Sequence, residues 1–294
     1  MNRIDFFTWE RHHFDHLIPI WSEIPKNLKG SFYISTHIHS KDEFNIPSYS
    51  DLNRYIFSNK ILKLINGLKS SEALLVVADL NKSLNEIKRP TVRVSHGAGQ
   101  TYISKEYEYQ SIALRKHIVL DIVPNKYMKK VIINSLHGNE VRVVGCPKLD
   151  FWHKNFKKPI NHKPVIAISF HFDRKLVSET RTAFPHFKSG LVKLANYSRE
   201  KGWRILGHGH PLIIDELTPY YEELGFEIVR NFNDVMSMAD VYICDNSSTL
   251  YEFASTDRPV VVLNAPWYRR EVEHGLRFWE HADVGVNCDS PEDL

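Results

Sequence analysis

Cysteine is scarce in this 294-residue chain: Cys146, Cys244 and Cys288 are far apart and odd in number, which excludes a disulfide framework and a cysteine-based zinc motif. A reducing, cytoplasmic setting is therefore expected. Long apolar runs are lacking as well. No stretch approaches the roughly 20 residues that a spanning helix needs, and Met1-Asn2-Arg3-Ile4-Asp5-Phe6-Phe7 has no apolar core of signal-peptide length. Export is not expected, and any membrane association would be peripheral, at the inner face. Excess charge is missing too: 38 basic against 35 acidic residues leave a net charge of +3, with no basic block that would argue for a nucleic-acid partner. Nor is there a bias toward disorder, since 43% hydrophobic and 25% charged residues are ordinary for a folded protein. A chain of this length points to two domains, each of roughly 130 to 150 residues.

What is present is a recurrence of short β-branched runs separated by helix-length segments, the pattern of parallel sheets covered by helices. Strands are predicted at Ser31–Thr36, Ala73–Ala78, Thr91–Ser95, Ile118–Ile122 and Val141–Gly145. A second series follows at Val165–Ser169, Trp203–Gly207, Glu227–Val229, Val241–Cys244, Val260–Leu263 and Val284–Val286, with an amphipathic crossover over Leu176–Glu200. The segment from Lys148 to Pro159 is polar and without a period, which marks a linker. The expected organisation is thus a first Rossmann-like domain over 1–150, a linker over 151–163 and a second Rossmann-like domain over 164–294.

Open parallel sheets bind ligands beyond the carboxyl ends of their strands, so the residues at those ends are the functional candidates. Asp245-Asn246-Ser247-Ser248 leaves a buried strand and enters a helix with apolar positions at Leu250, Phe253 and Ala254. A helix N-terminus with hydroxyl groups suits a phosphate, and the same residues suit a plain helix cap with Glu252 supporting the first turn. His210, in Gly207-His208-Gly209-His210-Pro211, could donate to a phosphate as the cation or shuttle a proton when neutral; the flanking glycines would let backbone approach a ligand. His96-Gly97-Ala98-Gly99-Gln100 lacks the dinucleotide fingerprint and the P-loop lysine, leaving a histidine at a strand tip. His12, His13, His16, His37 and His39 crowd the N-terminal region, but no nearby cysteine or firm carboxylate completes a metal site. They are expected to be solvated or to face substrate, and no metal site is assigned.

Taken together, these segments resemble the CDP-glycerol glycerophosphotransferases of teichoic-acid and capsule synthesis. The likeness is strongest in Met238–Ser248, Tyr251–Ala254 and Arg258–Leu263; Gly145-Cys146-Pro147-Lys148-Leu149-Asp150 looks like the family's Gly-x-Pro-Arg-x-Asp junction, and His96-Gly97 and His210-Pro211 look like its two histidine sites. The resemblance implies a GT-B fold, two Rossmann-like domains facing a central cleft. It implies catalytic roles for His96 and His210, and a donor-binding set of Gly97, Lys148, His208, Asp245, Asn246, Ser247, Ser248, Thr249 and Glu252. It also implies transfer of a glycerophosphate-type or glycosyl group from a nucleotide-activated donor, CDP-glycerol being favoured, to a polyol-phosphate or saccharide acceptor. The nucleotide enters as substrate, no cofactor is expected, and the role of a divalent ion is left open. Lys148 stands in place of the family's usual arginine, Asn246 in place of a common aromatic, and Gly209 in place of part of the approach to His210. The lysine that follows His-Gly in the family has no clear counterpart; Gln100 is near and Lys105 distant. Helices beyond the position of Leu294 are a further expectation. The same fold serves nucleotide-sugar glycosyltransferases, including those modifying nucleic acid, and UDP-sugar 2-epimerases; against an epimerase, no comparable set of catalytic carboxylates is visible. A nucleotide-binding scaffold without catalysis is the alternative of a different class, and the two histidines count against it.

Overall fold

The computed structural model describes residues 3–37, 41, 44, 46, 49–79, 82–97, 116–135, 140–155, 163–173, 178, 181–268 and 284–294. His39, Gln100 and Lys105 lie outside them. The chain divides into two compact units, one built from residues up to Asp150 and the other from Phe151 onward.

In the first unit the order is β1 (Ile4–Thr8), α1 (Arg11–Glu23), β2 (Lys29–Ser35), β3 (Tyr55–Ser58), α2 (Ile61–Lys69), β4 (Leu74–Val77), β5 (Thr91–Val94), β6 (Ile118–Val123), α3 (Lys126–Ser135) and β7 (Glu140–Val143). The seven strands form one sheet in the order β3-β2-β1-β4-β5-β6-β7, every neighbouring pair parallel. Successive side chains of a strand point to opposite faces, and two cores result. Phe6, Phe32, Ile34 and Val76 pack with Phe14, Leu17 and Trp21 of α1, while Phe7, Tyr33, Leu75 and Val77 pack with Leu64, Ile65 and Leu68 of α2. The central strand β1 is absent from the sequence-based expectation because Asp5 interrupts its apolar run. In the fold that carboxylate is buried, accepting from Ser31 N at 2.7 Å and Ser71 Oγ at 2.6 Å and pairing with Arg89 Nη1 at 3.0 Å.

A short helix, α4 (Asp150–Asn155), leads into the second unit: β8 (Val165–Phe170), α5 (Phe184–Lys201), β9 (Arg204–Gly209), α6 (Ile214–Glu223), β10 (Glu227–Ile228), α7 (Phe232–Met238), β11 (Val241–Cys244), α8 (Thr249–Ala254), β12 (Val260–Leu263) and β13 (Val286–Cys288). Its sheet order is β10-β9-β8-β11-β12-β13, again all parallel. Two expectations are corrected here. The segment from Lys148 is helical up to Asn155 rather than irregular, because Pro147 opens a turn of 3-10 helix and Asp150 favours the start of the next. The crossover helix begins at Phe184, not near Leu176, with Pro185 in its first turn.

In both sheets the strand order reverses beside the first strand of the unit, between β1 and β4 and between β8 and β11. Crevices at such reversals, outside the carboxyl ends of the strands, are where doubly wound sheets hold ligands.

Candidate functional site

The first reversal gathers histidines. His96 follows β5, and its Nδ1 lies 2.9 Å from the carbonyl oxygen of Ala78, at the end of β4. A carbonyl only accepts, so Nδ1 carries the proton and Nε2 presents a lone pair. Gly97 has φ 86°, a left-handed conformation that favours glycine, and its N–H donates to His16 Nε2 at 3.2 Å. His16 therefore holds the His96-Gly97 turn in place, with its Nδ1 facing Cys146 Sγ at 3.8 Å. His13 and His16 are buried, which removes the solvated half of the expectation for these two: the first turns of α1 face the sheet's carboxyl edge, not water. Burial, then the neighbouring His96 and His16, hold His13 well below the usual imidazole pKa; burial, then Lys148, His96 and His12, do the same to His16. Both are neutral at pH 7, as accepting from Gly97 N–H requires of His16. Lys148 is half-buried after β7 and belongs to this first unit.

The second reversal is organised by Asp245. It is fully buried; Oδ1 accepts from the backbone N–H of His171 at 2.9 Å and of Asn246 at 2.6 Å, and Oδ2 from Ala183 N–H at 2.9 Å. Its carboxylate therefore ties the loops after β8 and β11 to the start of α5. That is a positioning role, where the sequence suggested a donor contact. Asn246 is likewise buried, donating to Arg181 O at 3.0 Å and to Tyr268 Oη at 3.3 Å, and Glu252 is buried in α8. His208 is inward-facing: Nδ1 donates to Val229 O at 2.7 Å and the ring packs toward Phe232. The flanking glycines serve the core, not a ligand. A Cβ on Gly207 would lie 2.5 Å from the Tyr221 ring, and one on Gly209 2.9 Å from Leu217.

Three groups at this edge keep polarity to offer. Tyr242 Oη and Thr249 Oγ1 are 2.8 Å apart, and Thr249 Oγ1 donates to Ser247 Oγ at 2.7 Å, which also accepts Thr249 N–H at 3.3 Å. Having accepted two hydrogen bonds, the half-buried Ser247 hydroxyl has its own proton to give, the polarity a phosphate oxygen needs. Ser248 precedes α8 and makes no side-chain cap bond. His210 Nδ1 accepts Leu212 N–H at 3.1 Å, which puts the proton on Nε2. Burial first, and His208 second, push its pKa down to about 4, so at pH 7 it is a neutral Nε2–H donor and not the cation. His171, which sequence reasoning missed, stands 5.1 Å from His210 between centroids, with the Phe172 ring 4.5 Å from His210. Its signal was present: a histidine directly after a buried strand, the criterion that selected His96.

Residues 94–278 match the model of the family described as CDP-Glycerol:Poly(glycerophosphate) glycerophosphotransferase. The chain belongs to this family. The matched span, more than half of the chain, runs from the end of β5 through α8 and β12 and so includes the residues just described except Ala78 and those of α1. Solved structures agree on the fold. The S. aureus MnaA structure with UDP has a TM-score of 0.62 at 12% identity, covering 100% of this chain and 86% of that one. The wall teichoic acid polymerase TagF has a TM-score of 0.57 at 16% identity, covering 89% and 70%. The UDP-GlcNAc 2-epimerase from Neisseria meningitidis, bound to UDP-GlcNAc, has 0.58 at 14% identity, covering 100% and 88%. Comparison by sequence with curated proteins gives no match. The fold is GT-B, and the family is one of transferases that use nucleotide-activated groups. Among the described residues no helix is long and apolar enough to cross a membrane.

Proposed function

We propose that the chain transfers a glycerophosphate-type group from CDP-glycerol to the hydroxyl of a polyol-phosphate or saccharide acceptor. In this reading the donor's phosphates lie at the carboxyl edge of the second sheet. Ser247 Oγ–H and the Ser248 hydroxyl donate to phosphate oxygens, and His210 adds its neutral Nε2–H. Each is stronger as charge builds on the leaving nucleotide. Phosphoryl transfer asks mostly for positioning and charge stabilisation, so a site of this modest chemistry suffices. The acceptor belongs to the first unit, where His96 Nε2 takes the proton of the attacking hydroxyl.

The observation that carries the proposal is the hydrogen bond from His96 Nδ1 to Ala78 O, which leaves an exposed imidazole basic at its outer nitrogen, within a segment matched by the family. His96→Ala is expected to lower turnover of CDP-glycerol with a polyol-phosphate acceptor by a factor of about 10² to 10⁴ while leaving the donor dissociation constant unchanged. Wild-type turnover in the variant removes His96 as the base. Turnover of a UDP- or GDP-sugar in place of CDP-glycerol removes the donor assignment.

A further inference from the structure

Three imidazoles converge where the first sheet reverses. His12 and His13 occupy the first turn of α1 and His96 follows β5; one ring nitrogen of each lies within 4.8 Å of the other two. The ring centroids of His13 are 4.1 Å from His12 and 4.4 Å from His96, and those of His12 and His96 are 5.6 Å apart. Two of the three rings are oriented by a second partner. His96 Nδ1 is held by Ala78 O, and His12 Nδ1 lies 3.1 Å from Glu10 Oε2. Both partners leave Nε2 as the ligating atom, and a carbonyl or carboxylate behind the ring is how metal-binding imidazoles are usually oriented and made more basic.

We propose that His12, His13 and His96 form a site for a zinc-class divalent cation. Three neutral nitrogen ligands suit zinc, cobalt or nickel and do not suit magnesium or calcium, which take oxygen ligands. Zinc–nitrogen bonds of about 2.0 to 2.1 Å in a tetrahedron place the nitrogens about 3.4 Å apart, so the rings must draw in from their present spacing. His96 is exposed and His12 half-buried, so a small shift of either ring needs no repacking of the core. With three protein ligands the fourth position stays open to water or to a substrate oxygen. The ion would take the Nε2 lone pair that the proposed mechanism assigns to the base, so a loaded site and a basic His96 exclude each other. Zinc should then suppress turnover, and a chelator should restore it.

The test uses the full chain, free of any affinity tag and stripped of metal, titrated with Co²⁺ and followed by its visible spectrum, with Zn²⁺ added to compete. One equivalent of Co²⁺ is expected to give the intense bands of a four-coordinate ion, which Zn²⁺ abolishes. Glu10→Gln should weaken Co²⁺ binding by about 10- to 100-fold, and His12→Ala, at a position on the helix surface that the core does not need, by at least as much. His153→Ala, in the second unit, should leave the titration unchanged. The proposal is overturned by a spectrum that stays six-coordinate, by the absence of saturation, or by equal Co²⁺ affinity in wild type and His12→Ala. The spectrum does not depend on turnover, so its outcome is separate from the fate of His96 as a base.

Discussion

His210 is a base that the fold keeps from being protonated, and this sets a pH dependence. Its folded pKa of about 4 lies below the ordinary 6.5, so between those values the unfolded chain takes up a proton that the folded chain refuses. Its contribution to stability is complete above pH 6.5 and is lost as the pH falls toward 4. Urea midpoints measured at pH 7 and pH 5 should therefore drop further for wild type than for His210→Gln, and an equal drop in the two would count against the burial argument. A phosphate placed against Nε2 should raise this pKa and reduce the difference. The neighbouring hydroxyl pair makes a second prediction. Ser247→Ala together with Ser248→Ala loses the bond from Thr249 N–H to Ser247 Oγ, about 0.5 to 1.5 kcal/mol, and both hydroxyls proposed to face the donor phosphates. CDP-glycerol affinity should fall by at least tenfold in a variant that remains folded. An unchanged dissociation constant by calorimetry would show that the donor's phosphates lie elsewhere.

At the scale of elements, β9 is a strand whose two glycines are demanded by α6. Tyr221 packs closely against Gly207 and donates from Oη to His208 O at 3.0 Å. Gly207→Ala should therefore cost about 1 to 3 kcal/mol through overpacking and shift His210 with the strand; a denaturation midpoint equal to wild type would mean that the ring moves aside freely. That close approach also shows what could be read in advance. The β-branched runs of β5, β6, β8, β11 and β12 lie within a residue or two of where periodicity places them, because buried parallel strands advertise themselves by composition. β1 did not, since the partners that make Asp5 tolerable, Ser71 and Arg89, are more than 60 residues away. His96 and His210 were legible as strand-tip histidines. Three other features were not: the inward turn of His208, the bridging task of Asp245, and the meeting of His96 with His12 and His13. Each depends on which strands become neighbours, and a linear pattern does not carry that.

At the scale of the whole molecule, family membership and the two parallel sheets define a transferase whose candidate residues are divided between units: the proposed base in one, the proposed donor contacts in the other. Amide hydrogen exchange can read that division directly. CDP-glycerol at a hundredfold excess over its dissociation constant stabilises its binding unit by about 2.7 kcal/mol. Protection is expected in the loops after β8, β9 and β11, and protection confined to β1–β7 would reverse the assignment. The order of the first sheet has one more consequence, for synthesis. β1 lies between β2 and β4, yet Leu74, its first partner in β4, is translated some seventy residues after Ile4. At about 5 to 20 residues per second, the nascent chain spends several seconds with the hydrogen-bonding edge of Ile4–Thr8 and the rings of Phe6 and Phe7 on a half-finished sheet. During that interval the ribosome-bound chain presents an unpaired edge to other chains. Slower elongation between codons 9 and 73 should lower the yield of correctly folded protein, and a holdase chaperone should restore it.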